Sequence, residues 1–243
     1  MRTLLLAVDT STKYCSVALL HSSNFREIDD INRCVYPIKV SDSEYWIRHE
    51  LTGAMSSTRI LPAICELFKE SGFTLTDCDV IAFGSGPGSF TGLRTATGIV
   101  QGLAFGLGKP VVPVSTLLAC AEDARRRTPG ISRVLTVLDA RMNEVYWADY
   151  VWDCTVENWY AIHPATLSVP ESLQAPDVPF ILAGNAAAIF SNTLPIVSRA
   201  TSIDTKALPH VLPIAYLALR SYLSGYMLSA DQAVPDYVRN NIV

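Results

Sequence analysis

The sequence has no Cys-x-x-Cys pair, no two histidines at ligand spacing, no long apolar window and no excess of basic charge. Its six cysteines, at 15, 34, 65, 78, 120 and 154, stand singly inside apolar segments. They read as reduced core thiols, not as a disulfide frame or a zinc cage. The four histidines, at 21, 49, 163 and 210, are far apart in sequence, so no His-x-x-x-His helix exists and no metal site is expected. The longest apolar stretch, around 99–118, is broken by Lys109, Pro110 and Pro113, which argues against a membrane span. A net charge of −4 sets the chain apart from free-standing nucleic-acid binders, which are usually basic. Any nucleic-acid contact is therefore expected to be indirect or shared. The opening apolar run, 3–8, is cut by Asp9 before it reaches signal-peptide length, and the expectation is a soluble, cytoplasmic protein.

What is present is concentrated in residues 84–94, Gly84-Ser85-Gly86-Pro87-Gly88-Ser89-Phe90-Thr91-Gly92-Leu93-Arg94. The run follows an apolar strand pattern, 80–83, and precedes a helical one, 93–106. A glycine-rich turn between strand and helix can aim backbone N–H groups at an anion. It can equally be a tight turn with no ligand. Its spacing excludes three motifs. No Lys follows Gly92, so it is not a phosphate loop. Gly86 and Gly88 lack the third glycine of the dinucleotide fingerprint. Ser89 is flanked at two residues by Pro87 and Thr91, not by the glycines of a nucleophile elbow. No catalytic residue is assigned.

The rest of the first half alternates strands and helices. Strands are expected at 3–8 and 15–20, joined by the polar turn 10–13, and the segment 21–50 yields only a third strand and a loop. Ser56, Ser57 and Thr58 read as the N-cap of a helix over 59–70, with Ile60, Ile64, Leu67 and Phe68 on one face and Pro62 in the first turn. In the helix after the glycine run, Leu93, Ala96, Val100, Leu103 and Leu107 form an apolar stripe. Gly98, Gly102 and Gly106 recur on another face. Each mid-helix glycine costs about 0.5–1 kcal/mol relative to Ala, so three in register call for close approach by another helix, another chain or the protein's own sheet. A helix over 117–127 ends in three arginines, read as a solvated end complementing the dipole or as an RNA contact. Residues 153–180 read as loop-rich, 209–228 as a helix, and the tail as an ordered cap.

The second half repeats the first in outline. Leu135-Thr136-Val137-Leu138-Asp139 matches Leu5-Leu6-Ala7-Val8-Asp9, and the pairs Asp9/Asp139 and Ala18/Ala148 share one offset, 130. Phe180-Ile181-Leu182-Ala183-Gly184-Asn185 repeats strand, glycine and helix, a shorter echo of 80–88. Such a repeat suggests duplication into two α/β lobes facing each other, with a boundary near 112–115. The two Asp residues and the glycine turns could then hold a Mg–nucleotide. Alternatively, both Asp residues simply begin hairpin turns.

Residues 5–12 resemble the phosphate-1 turn of the actin/sugar-kinase/Hsp70 superfold. The run 84–94, with Pro113-Val114-Ser115-Thr116-Leu117, Asp139-Ala140-Arg141-Met142-Asn143-Glu144-Val145-Tyr146 and Pro235-Asp236-Tyr237-Val238-Arg239, is similar to the TsaB (YeaZ) family, over most of the chain except about 21–50 and 153–178. The resemblance implies a duplicated actin-like α/β fold. An N-terminal lobe, 1–112, would carry the dimer helices, and a C-terminal lobe, 113–243, would send a helix at about 210–229 back toward the first. It implies a catalytically silent subunit that works with TsaD, TsaE and, upstream, the threonylcarbamoyl-AMP synthase. Together they form N6-threonylcarbamoyladenosine at position 37 of tRNAs reading codons that begin with A. Dimerisation, with itself in isolation or with TsaD, would use helices matching 57–70 and 91–106. The implied interface is Arg59, Leu61, Leu67, Thr91, Arg94, Thr95, Gly98 and Gly102. tRNA would be met only through the complex, and no membrane is involved. No cofactor of its own is implied, with ATP or ADP and Mg at a subunit interface as the one candidate. Its ligands would be Asp9, Thr10, Ser11, Thr12, Gly86, Gly88, Asp139 and Gly184.

Two departures stand out. Ser56-Ser57 replace the family's common His-Ser, and the segment 21–50 is longer than usual. The turn after Asp9 also lacks the glycine of many active ATPases, and a Cβ there obstructs close backbone approach. The competing reading is a stand-alone ATP-dependent kinase or ATPase, with Asp9 holding Mg–ATP and Asp139 as partner or base. A metal-dependent peptidase is excluded by the missing ligand pair.

Overall fold

The computed structural model describes residues 2–22, 38–40 and 43–239. Of the segment 21–50, the stretches 23–37 and 41–42, with Cys34, lie outside the described residues. The chain forms two compact units, Met1–Thr116 with Pro209–Asp236, and Leu117–Leu208 with Tyr237–Val243.

The first unit is built on β1 (Thr3–Asp9), β2 (Tyr14–Ser22), β3 (Ile38–Val40), β4 (Ser43–Leu51), β5 (Val80–Gly86) and β6 (Val111–Ser115). Their order in the sheet is β3-β4-β2-β1-β5-β6. β1 pairs antiparallel with β2 and parallel with β5, and every one of its residues is buried. That is why its sequence is a continuous apolar run and does not alternate. On one face, Leu4, Leu6, Val8, Val17, Leu19, Ile81 and Phe83 meet α1 (Ser56–Ser71) and α2 (Phe90–Leu107) through Ile60, Ile64, Leu67, Ala96, Val100 and Ala104. Helix α5 (Val211–Leu223) packs on the same central strands but takes no part in that cluster, and so covers the other face. Its run of buried residues on nearly every side fits a helix pressed into a core.

The second unit carries β7 (Arg133–Arg141), β8 (Glu144–Asp153), β9 (Asn158–Ser168), β10 (Ile181–Ala183) and β11 (Ser202–Asp204), ordered β11-β10-β7-β8-β9, with α3 (Thr116–Arg127) and the single turn α4 (Ala186–Ile189). The two sheets share one plan. A central strand (β1, β7) has its hairpin partner (β2, β8) on one side and a parallel strand (β5, β10) on the other. The chain is thus a duplicated α/β fold. The Asp pair holds similar places: Asp9 is the last residue of β1, and Asp139 lies two residues before the end of β7. The Ala pair does not: Ala18 faces Ala7, whereas Ala148 faces Thr136 and not Val137. The second hairpin turns on Met142–Asn143 alone, and an irregularity between Asp139 and Arg141 shifts its return strand by one residue.

Several sequence expectations need correction. Helix α1 starts at Ser56, so Ser56, Ser57 and Thr58 lie inside it, and its N-cap, Met55, makes no side-chain cap. Pro62 therefore falls beyond the first turn. Residues 153–180, loop-rich in sequence, also hold a strand that the sequence did not mark, the eleven residues of β9. Cys65 and Cys154 are exposed free thiols and not core residues, whereas Cys15, Cys78 and Cys120 are buried. No helix among the described residues is long and apolar enough to cross a membrane.

Candidate functional site

At the end of β1 the carboxylate of Asp9 is fully buried. The Ser11 amide donates to its Oδ1 at 3.4 Å and the Ser11 hydroxyl to its Oδ2 at 3.1 Å. Burial pushes the Asp9 carboxyl up to about 6, against the opposing pull of the Ser11 hydrogen bonds and of His210. Thr10 and Ser11 are buried with it, and Thr12, half-buried, accepts the Tyr14 amide at 3.2 Å.

The glycine run folds directly onto this turn. The Ser89 amide donates to Ser11 O at 2.8 Å, and Thr10 Oγ1 donates to Gly92 O at 2.6 Å. A Cβ on Gly88 would stand 2.7 Å from Ser11 O, and one on Gly92 would overlap Thr10 O outright. Gly84 is closed off in the same way by the Asp9 carboxylate. Gly86, at φ +125°, lies under the tail: a Cβ would come within 2.5 Å of Asp236 O, and the Asp236 amide donates to Ser85 O at 2.7 Å. The glycines are required here because the chain's own atoms, the Asp9 carboxylate at Gly84 and backbone oxygens at Gly86, Gly88 and Gly92, occupy the space beside them. The Ser89 side chain caps α2 by accepting from Gly92 N at 3.3 Å.

In the second unit Asp139 and Gly184 stand in the corresponding places. Asp139 Oδ1 accepts the Arg141 amide at 2.9 Å, and the Asp139 amide donates to Asn185 Oδ1 at 3.0 Å. Gly184, at φ +107°, leaves no room for a Cβ beside Val137 O. The adjoining hairpin holds Arg141, Met142 and Asn143 at φ 63°, 56° and 56°. Met142 and Asn143 form its two-residue loop, a geometry that ordinarily selects Asn-Gly. A non-glycine residue in that conformation costs roughly 1–2 kcal/mol. Met142→Gly is therefore expected to raise stability by about 0.5–1 kcal/mol, less than the full relief because glycine also loosens the unfolded chain. A urea midpoint that falls would contradict it.

The outer side of α1 and α2 is the other candidate region. Gly98, Gly102 and Gly106 are exposed, and a Cβ on any of them meets no atom within 4 Å. Packing against the protein's own sheet therefore does not explain them. Thr91 and Arg94 share their side of the helix, and Phe105 is 81% exposed. The Arg94 guanidinium lies 3.8 Å over the Phe90 ring, and the half-buried Thr95 donates its hydroxyl to Thr91 O at 2.9 Å. On α1, Leu61 is 47% exposed. Arg59 is held by Glu50 and Glu66, with N–O distances of 2.7 Å. Those two carboxylates raise its guanidinium's affinity for its proton, and in return Arg59 and Arg48 hold the Glu66 carboxyl down to about 2. Leu67 is fully buried in the unit's own core. It has no surface for a partner and does not belong with the other interface candidates.

The arginine triplet at the end of α3 is not a free basic tip. Arg125 and Arg126 pair with the buried Glu122, which also accepts from Trp159 Nε1, and Arg127 pairs with Asp123 and Asp204. Arg239, absent from the candidate residues, ties the tail to Glu144 and Ala140 O. Only its place in the tail motif marked it in the sequence. Among the described residues no three His, Cys, Asp or Glu form a group that could hold a metal ion.

Comparison with known proteins gives a consistent picture. The family model described as "TsaD: tRNA N6-adenosine threonylcarbamoyltransferase" matches residues 48–241. The tRNA threonylcarbamoyladenosine biosynthesis protein TsaB of Escherichia coli (strain K12) is 34% identical, covering 98% of this chain and 95% of that protein. The TsaB of Haemophilus influenzae is 35% identical over 98% and 94%. The solved structure of YeaZ from Pseudomonas aeruginosa superposes with a TM-score of 0.81 at 34% identity, covering 97% of this chain and 99% of that one.

Proposed function

The chain belongs to the TsaB (YeaZ) family, and we propose that it serves tRNA threonylcarbamoyladenosine biosynthesis as a non-catalytic subunit that docks on TsaD. In this reading it works in the cytoplasm, and TsaE and the threonylcarbamoyl-AMP synthase act beside and before the pair. The product is N6-threonylcarbamoyladenosine at position 37 of tRNAs reading codons that begin with A. tRNA is met only through the assembly, in keeping with the net charge of −4.

The observation that carries the proposal is the open glycine face of α2. Three glycines weaken an exposed helix and are used by nothing in the unit's own core. A facing helix would find a flat floor there, with Leu61 and Phe105 as apolar contacts. Without TsaD, the same face would pair two copies of this chain.

At Asp9 nothing favours a stand-alone kinase: its carboxylate is buried and bonded to Ser11. Light scattering on the chain mixed with TsaD tests the proposal. A 1:1 heterodimer is expected, with no ATP hydrolysis by the chain alone. A monomer indifferent to TsaD would contradict it.

A further inference from the structure

The glycine run is the most distinctive stretch of the sequence, and docking as described leaves it without a task. Its backbone is joined to the Asp9 turn at two points that bracket the start of α2: Ser89 N to Ser11 O at 2.8 Å, and Thr10 Oγ1 to Gly92 O at 2.6 Å. Farther along, α2 is held by Leu93, Ala96, Val100 and Ala104 in the core. The first turn lies at the rim of that packing, where helix ends fray for want of partners. It is also the turn that bears Phe90, Thr91 and Arg94, with the Arg94 guanidinium stacked on Phe90.

We propose that Thr10 is a positioning residue for docking: its hydroxyl clasps the first turn of α2, so that Phe90, Thr91 and Arg94 meet the partner in one fixed arrangement. The inference rests on the docking reading above. The contact is too close for any residue but glycine at 92, so the two segments move together. A surface held in its bound form loses less freedom on binding, and affinity rises without a new contact. A turn that in related architectures would face a phosphate here braces a helix.

The test measures affinity for TsaD by titration calorimetry on the full chain. Thr10→Val keeps the shape and removes the hydroxyl; it is expected to weaken binding ~10-fold, while Thr10→Ser stays within ~3-fold of wild type. Ile181→Val, a core change in the second unit, lowers stability and leaves affinity unchanged. Arg94→Ala weakens binding in the wild-type chain and has little further effect in Thr10→Val, because both act through one contact. Wild-type affinity in Thr10→Val, or a full Arg94→Ala effect on top of it, overturns the inference. Gly98→Leu separates the two levels: if it too binds normally, docking through α2 is itself wrong. Should Thr10→Val fail to fold, Arg94→Ala alone decides, and unchanged affinity in that exposed variant overturns the proposal.

Discussion

Gly98→Leu is expected to abolish pairing with TsaD, raising Kd by at least ~100-fold, while the isolated chain becomes slightly more stable. The two halves of that result have separate causes. A Cβ at 98 meets nothing within 4 Å in the free chain, so the new side chain points into solvent and strains nothing. Leucine is also a better helix former than glycine by up to about 1 kcal/mol. Against a partner helix the same side chain stands where the backbones must approach, and overpacking of that kind is not relieved by small shifts. Gly102→Leu should act alike, one turn along the same face. Thermal melts of the free variants, set beside titrations with TsaD, separate lost docking from lost folding. A Gly98→Leu chain that melts normally and binds normally would remove α2 from the interface.

Asp9→Asn is expected to stabilise the chain at neutral and alkaline pH, by up to about 3 kcal/mol. The carboxyl titrates near 6 in the folded state against an ordinary value of 3.8, because burial disfavours its charge. Below pH 3.8 both states are protonated, and Asp9 imposes no penalty. Between 3.8 and about 6 the unfolded chain gives up its proton first, so stability falls as pH rises. Above about 6 the penalty is complete, about two pK units' worth. The asparagine variant lacks this slope. Its advantage should be smallest at pH 4 and largest above pH 6.5, reduced at all pH by any hydrogen bond from Ser11 that the amide fails to accept. Urea unfolding of both chains across pH 4–8 measures it. An advantage that does not grow with pH would show that the ionised carboxylate is stabilised by something in the folded chain.

Much of the fold was legible because its signals are local. β1 is an unbroken apolar run and lies buried on both faces, and α1 is capped by Gly72 at φ +77°, just past the stretch 59–70 that reads as helix. Leu67 was legible too: Ile60, Ile64 and Leu67 already formed the apolar stripe that turns inward, and the helical period alone should have kept Leu67 out of an interface. What could not be read depended on distant partners. β9 carries Pro164 and pairs with β8 through two register shifts, so it lacks the clean alternation that marks a strand. The glycine run shows the same limit most plainly. A glycine that admits a phosphate and one that admits a backbone oxygen look identical along the chain. At Gly92 the occupant is Thr10 O, 82 residues earlier.

The most direct measurement is tRNA modification in a reconstituted system, with this chain omitted, supplied as wild type, or supplied as Gly98→Leu. Threonylcarbamoyladenosine should form with the wild-type chain and fall to background without it or with the variant. Undiminished modification in its absence would contradict the assignment, as would a purified chain that turns over ATP and a substrate with no partner present.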